Sequence, residues 1–191
     1  MKQRIYARVK ERSKIEAGFI LIAKPFWDEE IYKRVVALVI EHNSNGTTGV
    51  LLNRVSTLSV VEAIPTLGIN KPLYFGGSFE TKIISYIHNN ITVPDSIYLG
   101  NNLFWGGNFD KISEMIHDGS INLNEINFYA GFVHWAPGQL EEEINKSKWW
   151  IHELNDYDLF NITSDDLWGE SLENLGNIYS LFKNIPDPSI S

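Results

Sequence analysis

The sequence predicts an α+β fold in one compact domain, and three observations predict it. The chain has 191 residues, 43% of them hydrophobic and 13% aromatic, enough for one globular core. Short apolar runs of strand length alternate along it with stretches of helical periodicity. No repeat, low-complexity segment or linker interrupts the alternation. Residues 18–185 therefore read as a single unit, between a basic arm at 1–17 and a frayed tail at 186–191 that carries Pro186-Asp187-Pro188.

The elements follow in order. Residues 1–16 are polar, with Ile5 and Val9 four apart as in a short helix. Residues 18–23 are apolar and bounded by Gly18 and Pro25, which marks a strand; 25–32 is a loop or a turn of helix. Residues 35–40 are apolar without alternation, as in a strand covered on both faces. Asn45-Gly46 is a strong hairpin signal, and 49–53 is the returning strand. Ser59 and Glu62 form a capping box that opens a short helix ended by Pro65. Strands follow at 73–75, 83–88, 96–99 and 126–135. Between the last two, Asn108 caps a helix that runs to Asp118 and closes at Gly119. Residues 149–154 are a last strand. Thr163 or Ser164 then caps a helix whose buried stripe is Leu167, Trp168, Leu172, Leu175, Tyr179 and Phe182.

Composition excludes several kinds of chemistry. There is no cysteine, hence no disulfide, thiolate nucleophile or cysteine metal site. The five histidines show no metal-ligand spacing, and no serine sits in a nucleophile elbow. Neither a metal nor a cofactor is expected. The net charge of −8 is uneven. Residues 1–14 carry six basic side chains and one acid, Glu11, while the remainder carries 10 basic and 23 acidic residues, a net of −13. Such a body repels phosphates, so direct DNA binding is not expected. No apolar run approaches the roughly 20 residues that span a bilayer, and residues 1–14 hold no signal-peptide core. A cytoplasmic protein is the expectation.

The most informative stretch is 130–144, AGFVHWAPGQLEEEI. It joins an apolar strand to an acidic helix through a Trp-Ala-Pro-Gly corner. Pro137 suits the first helical position, and Gln139 the third, where its side chain reaches back to a free amide. Trp135 and Leu140 have the spacing of a hydrophobic staple. Ala136 offers no side-chain acceptor, which leaves the amides of Gly138 and Gln139 for water, a loop or a ligand. Glu143, one turn on, is placed to bond Gln139 or a basic group.

Trp135-Ala136-Pro137-Gly138-Gln139-Leu140-Glu141-x-Glu143 resembles the W-x-x-G-Q-L-x-x-E signature of the YqgE/AlgH family. The resemblance extends to Gly18, Pro25, Arg34, Val35-Val36, Glu41-His42, Gly46, Gly49 and Leu52-Asn53-Arg54, and runs to about Gly176. Four positions depart from the pattern. Val55 and Ser78 stand where the family has Pro, Phe79 where it has Val, and His134 where it has Gly. The resemblance implies a mixed, mostly antiparallel sheet, partly curled into a small barrel and flanked by helices. It also implies a bacterial protein, one member of the family being named as a transcriptional regulator of alginate production.

Polar and glycine motif positions cluster at predicted strand ends, where loops carry function. The expected ligand site is a cleft between the Asn53-Arg54 turn, the Gly76-Gly77 loop and the Gln139 helix start, with Trp135, Gly138 and Glu143 beside it. The leading reading is a noncatalytic binding or regulatory protein acting through a small anionic ligand or a protein partner. The alternative is an enzyme acting on a small anionic metabolite or nucleotide, with Glu41, His42 or Glu143 as acid–base groups. Glu41 and His42, adjacent on a strand, are expected on opposite faces.

Overall fold

The organising element is a ten-residue strand, Ile126–Trp135, rich in aromatic residues and buried for most of its length. In the computed structural model, which describes residues 15–25, 27, 29–154 and 159–185, it is the ninth of ten strands. In chain order these are β1 (Phe19–Ala23), β2 (Val36–Asn43), β3 (Gly46–Leu51), β4 (Val55–Ser59), β5 (Pro72–Phe75), β6 (Phe79–His88), β7 (Ile97–Gly100), β8 (Leu103–Trp105), β9 (Ile126–Trp135) and β10 (Trp149–Glu153). The helices are α1 (Val60–Ala63), α2 (Phe109–His117), α3 (Gln139–Asn145), α4 (Leu167–Leu175) and α5 (Asn177–Ser180).

The sheet runs β10-β1-β2-β3-β9-β6-β8-β7, with β4 and β5 off this path. Every pairing is antiparallel except β5 with β9, which makes the sheet mixed, and it curls into a half-barrel within one α+β domain. One edge of β9 is shared. Its first half pairs with β5, from Phe128 to Ala130, and its last residues pair with β3, from Val133 to Trp135. The handover falls at Gly131, whose φ of 70° only glycine takes without strain.

The apolar run of β2 does what continuous burial requires. Val36, Leu38 and Ile40 face one core with Trp168 and Leu172 of α4, while Ala37 and Val39 face a second with Trp135, Leu140 and Trp149. A third core joins β5, β6 and β9 to α1 and α2 through Tyr86, Phe128, Ile112 and Met115. The hairpin turn lies where Asn45-Gly46 places it, between β2 and β3. The capping box at Ser59 and Glu62 is formed, and Asn108 accepts a hydrogen bond from Lys111 N at 2.9 Å.

The ends of the chain differ in part from the sequence reading, and the short strands β4 and β8 were not predicted. Ile15 is 5% exposed and belongs to the second core, so the body begins before residue 18; the reading of a helix at 1–16 falls almost wholly outside the described residues. The tail at 186–191 is outside them too. The C-terminal helix is not continuous. It starts at Leu167 and breaks at Gly176, whose φ is 122°. Tyr179 and Phe182 lie beyond the break and still pack on Trp150, with ring centroids 5.3 and 5.6 Å away.

Candidate functional site

The corner after β9 is a turn first and a helix second. Gln139 N donates to Ala136 O at 2.9 Å, and Gly138 has φ 80° and ψ −10°. With Pro137 before it, this is a type II turn. Helix α3 therefore starts at Gln139 rather than at Pro137, and the Gln139 amide is not open. The reach-back role of Gln139 stands: its Oε1 accepts from Ala136 N at 2.9 Å. Its Nε2 donates to Glu143 Oε1 at 3.3 Å. Glu143 Oε2 accepts both indole N–H groups, of Trp135 at 3.0 Å and of Trp149 at 2.8 Å. The two buried indoles stand nearly perpendicular, centroids 6.2 Å apart. Trp135, Gly138, Gln139 and Glu143 thus form one bonded unit that fastens β9, α3 and β10 together.

Asn53 and Arg54 perform a comparable task elsewhere. Asn53 Oδ1 accepts from Val36 N and its Nδ2 donates to Arg34 O, both at 2.9 Å. Arg54 Nε donates to Ile31 O at 3.4 Å and Nη2 to Lys33 O. Together they pin the loop that enters β2. Gly76 and Gly77 sit against β9: a Cβ on either would stand 2.2 Å from a backbone atom, of Gly131 or of Phe132. The pair serves a close approach of chains. The corner meets β3 at Thr47, while Asn53 lies roughly 20 Å further along the same strand direction. The motif residues therefore flank β3 at separate places instead of lining one cleft.

Glu41 and His42 keep the expected alternation: Glu41 pairs with Thr48, which lines a groove, while His42 pairs with the buried Thr47 and its ring turns toward Glu141 of α3. A bulge at Ile40 shifts the register between Val39 and Glu41, which puts Glu41 on the same face as Ile40. Glu41 accepts from Asn43 Nδ2 at 2.7 Å. His42 Nδ1 is 2.8 Å from Thr47 Oγ1, and its Nε2 is 3.6 Å from Glu141 Oε1. That order of carboxylate, imidazole and hydroxyl resembles a nucleophile relay, but Thr47 is only 1% exposed, so its hydroxyl is closed to a substrate. Among the described residues no three His, Asp or Glu side chains gather as a metal site.

The groove has a volume of about 740 Å³ and crosses the sheet face from β2 to β7. Ile40, Thr48, Ser85, Trp105 and Phe132 line it, and Ile83 and Ile97, each 51% exposed, stand at its rim. Its ionisable neighbours are Glu16, Glu41 and His42, with no Lys or Arg among the described lining residues. The sequence reading did not single out this face. The signal was the alternation Phe79, Thr81, Ile83, Ser85, Ile87, which extends the strand beyond its predicted start at 83.

Away from the groove, His88 is buried. Its Nδ1 accepts from Asn90 N at 3.2 Å, so Nε2 carries the proton and donates to Gly106 O at 3.0 Å. Burial holds its pKa below the ordinary value of about 6.5. The unfolded chain therefore binds this proton first, and stability present above about pH 6.5 is lost as pH falls from there through the lower folded value. Urea midpoints at pH 7.5 and 5.5 should fall with acid by less in His88→Gln than in the wild type. Equal acid slopes would remove His88 from the account.

Residues 20–180 match the family model described as AlgH-like. The chain belongs to the AlgH-like family. A relative from Chlorobium limicola, described as a UPF0301 protein, is 33% identical over 181 residues, which cover 94% of this chain and 97% of the relative. Another, from Cytophaga hutchinsonii, is 29% identical over 178 residues, covering 91% and 98%. The crystal structure of protein DIP2367 from Corynebacterium diphtheriae superimposes with a TM-score of 0.78 at 26% identity, covering 92% of this chain and 95% of that one. The solution structure of AlgH from Pseudomonas aeruginosa shares the fold with a TM-score of 0.69 at 23% identity, covering 97% and 98%. In this AlgH-like chain the matched segment contains all ten candidate residues. No described helix is long and apolar enough to cross a membrane.

Proposed function

We propose that this AlgH-like protein is a noncatalytic, cytoplasmic binding protein with a regulatory role, and that its ligand is an extended protein segment seated in the sheet groove. The groove carries the reading. It leaves Ile83 and Ile97 half in water on a face that elsewhere is covered, and exposed apolar concavities of this kind mark binding sites. Glu16 and Glu41 at its border favour a ligand with basic as well as apolar side chains over the small anion the sequence suggested. Asn53, Arg54, Gln139 and Glu143 use their hydrogen bonds on the frame, which supports a positioning part for them. Regulation through a protein partner also suits a body whose net charge of −13 repels nucleic acid.

The test is a set of 12-residue peptides graded in charge and apolar content, with binding read by fluorescence anisotropy. Apolar peptides of positive charge should bind, and Ser85→Trp, which fills the groove, should weaken them at least tenfold. Binding that ignores Ser85→Trp, or that favours acidic peptides, would refute the site. Chemical conversion of a bound peptide would refute the noncatalytic reading.

A further inference from the structure

We propose that the groove is the seat of the chain's own residues 1–14, which a partner segment must displace. The inference rests on the reading of the groove as a site for a protein segment. The exit point comes first. Ile15, Glu16 and Ala17 border the groove, Ile15 is buried, and Gly18 N donates to Val39 O at 2.8 Å. The described chain thus begins, at Ile15, on the β2 edge of the groove. Reach comes second. From β2 across β3 and β9 to β6 is three strand spacings, about 14 Å. Fourteen residues extend to about 46 Å, ample to cross the groove and pass Ile97 on β7.

Chemistry supplies the third argument. Residues 1–14 hold Lys2, Arg4, Arg8, Lys10, Arg12 and Lys14 against the single acid Glu11, with Ile5 and Val9 between them. The groove offers the complement, with Glu16 and Glu41 at one edge and the exposed Ile83 and Ile97 at the other. A second copy would bring the same segment, but a short tether holds its own segment at an effective concentration on the order of millimolar. Even a weak match is then occupied in cis. Occupation lowers the apparent affinity for any partner by the fraction of time the groove is open, which makes the segment a regulator of the same site.

The chain has no cysteine, so Val9→Cys takes a single nitroxide label in the full-length protein. In the ¹⁵N-enriched labelled chain, the amide signals of Ile83, Ser85, Ile97 and Phe132 should broaden. Those of Lys111 and Glu114 on α2, beyond the sheet, should stay sharp. Broadening in a mixture of labelled unenriched chain with enriched unlabelled chain would assign the groove to a second copy and overturn the proposal. Unselective or absent broadening would overturn it as well. The double substitution Lys10→Glu and Arg12→Glu should tighten the basic, apolar peptides about tenfold, and unchanged affinity would count against cis occupation. Peptide binding together with a silent label overturns the occupant alone. No peptide binding by the wild type or by the charge-reversed chain overturns the groove reading itself.

Discussion

Glu143→Ala should lower stability by about 3 kcal/mol, from two buried donors left unmet at about 1–3 kcal/mol each, less what water recovers in the vacated space. In a chain of this length that is a melting point lower by about 6–12 °C. The reason is geometric. One oxygen of Glu143 accepts the indole N–H of Trp135 and of Trp149, and both side chains are 2% exposed. Glu142 and Glu143 are neighbours in sequence, yet Glu142 pairs with Lys146 at 2.6 Å in solvent. Glu142→Ala should therefore leave the melting point nearly unchanged. Glu143→Gln keeps an acceptor and should fall between the two. Equal melting points for Glu142→Ala and Glu143→Ala would mean that the clamp contributes nothing.

The clamp also marks where legibility in the sequence stops. The bond from Gln139 to the Ala136 amide could be read from local spacing, because a side chain at a helix start has few places to reach. The partners of Glu143 could not, because Trp149 arrives from a later strand and no pattern within 130–144 announces it. The Pro137-Gly138 dipeptide did carry the turn that displaced the helix start, since glycine after proline suits a type II turn. The unalternating run of β2 gave its two-sided burial directly. The bulge at Ile40 was hidden, because nothing in Ile40-Glu41-His42 differs from an ordinary strand end.

The groove was the least legible feature, and for a tertiary reason. Its walls come from six strands, and no local pattern announces which faces of six strands meet. The sequence also predicted a helix continuing to Phe182, and hydrophobic periodicity does not report the backbone angle at Gly176 that breaks it. The family motifs pointed elsewhere because they specify the frame: the loop before β2, the β5–β9 approach and the tryptophan clamp. A frame held at these three places adjoins β2, β3 and β9, whose residues help to line the groove.

The β5–β9 approach gives the other large effect, and it separates two reasons for a glycine. Gly76→Ala should cost about 3 kcal/mol or more, from overpacking whose tightest contact is backbone and has no rotamer to yield. The added carbon would stand 2.2 Å from Gly131 O and 2.8 Å from Val50 Cγ2. Relief by moving the backbone would break Gly76 N to Ala130 O and Leu51 N to Gly76 O, each 2.8 Å. Gly138→Ala is the counterpart. Its φ is 80°, but nothing lies within 4 Å of the added carbon, so only the left-handed conformation is penalised, at about 1–2 kcal/mol. Urea denaturation of the two variants should rank Gly76→Ala clearly below Gly138→Ala, and the reverse order would refute the close-approach account. The same contact sets Phe132 beside Phe79 at 5.1 Å, next to the groove. Gly76→Ala should therefore also weaken groove peptides under conditions where it remains folded, whereas Gly138→Ala should not.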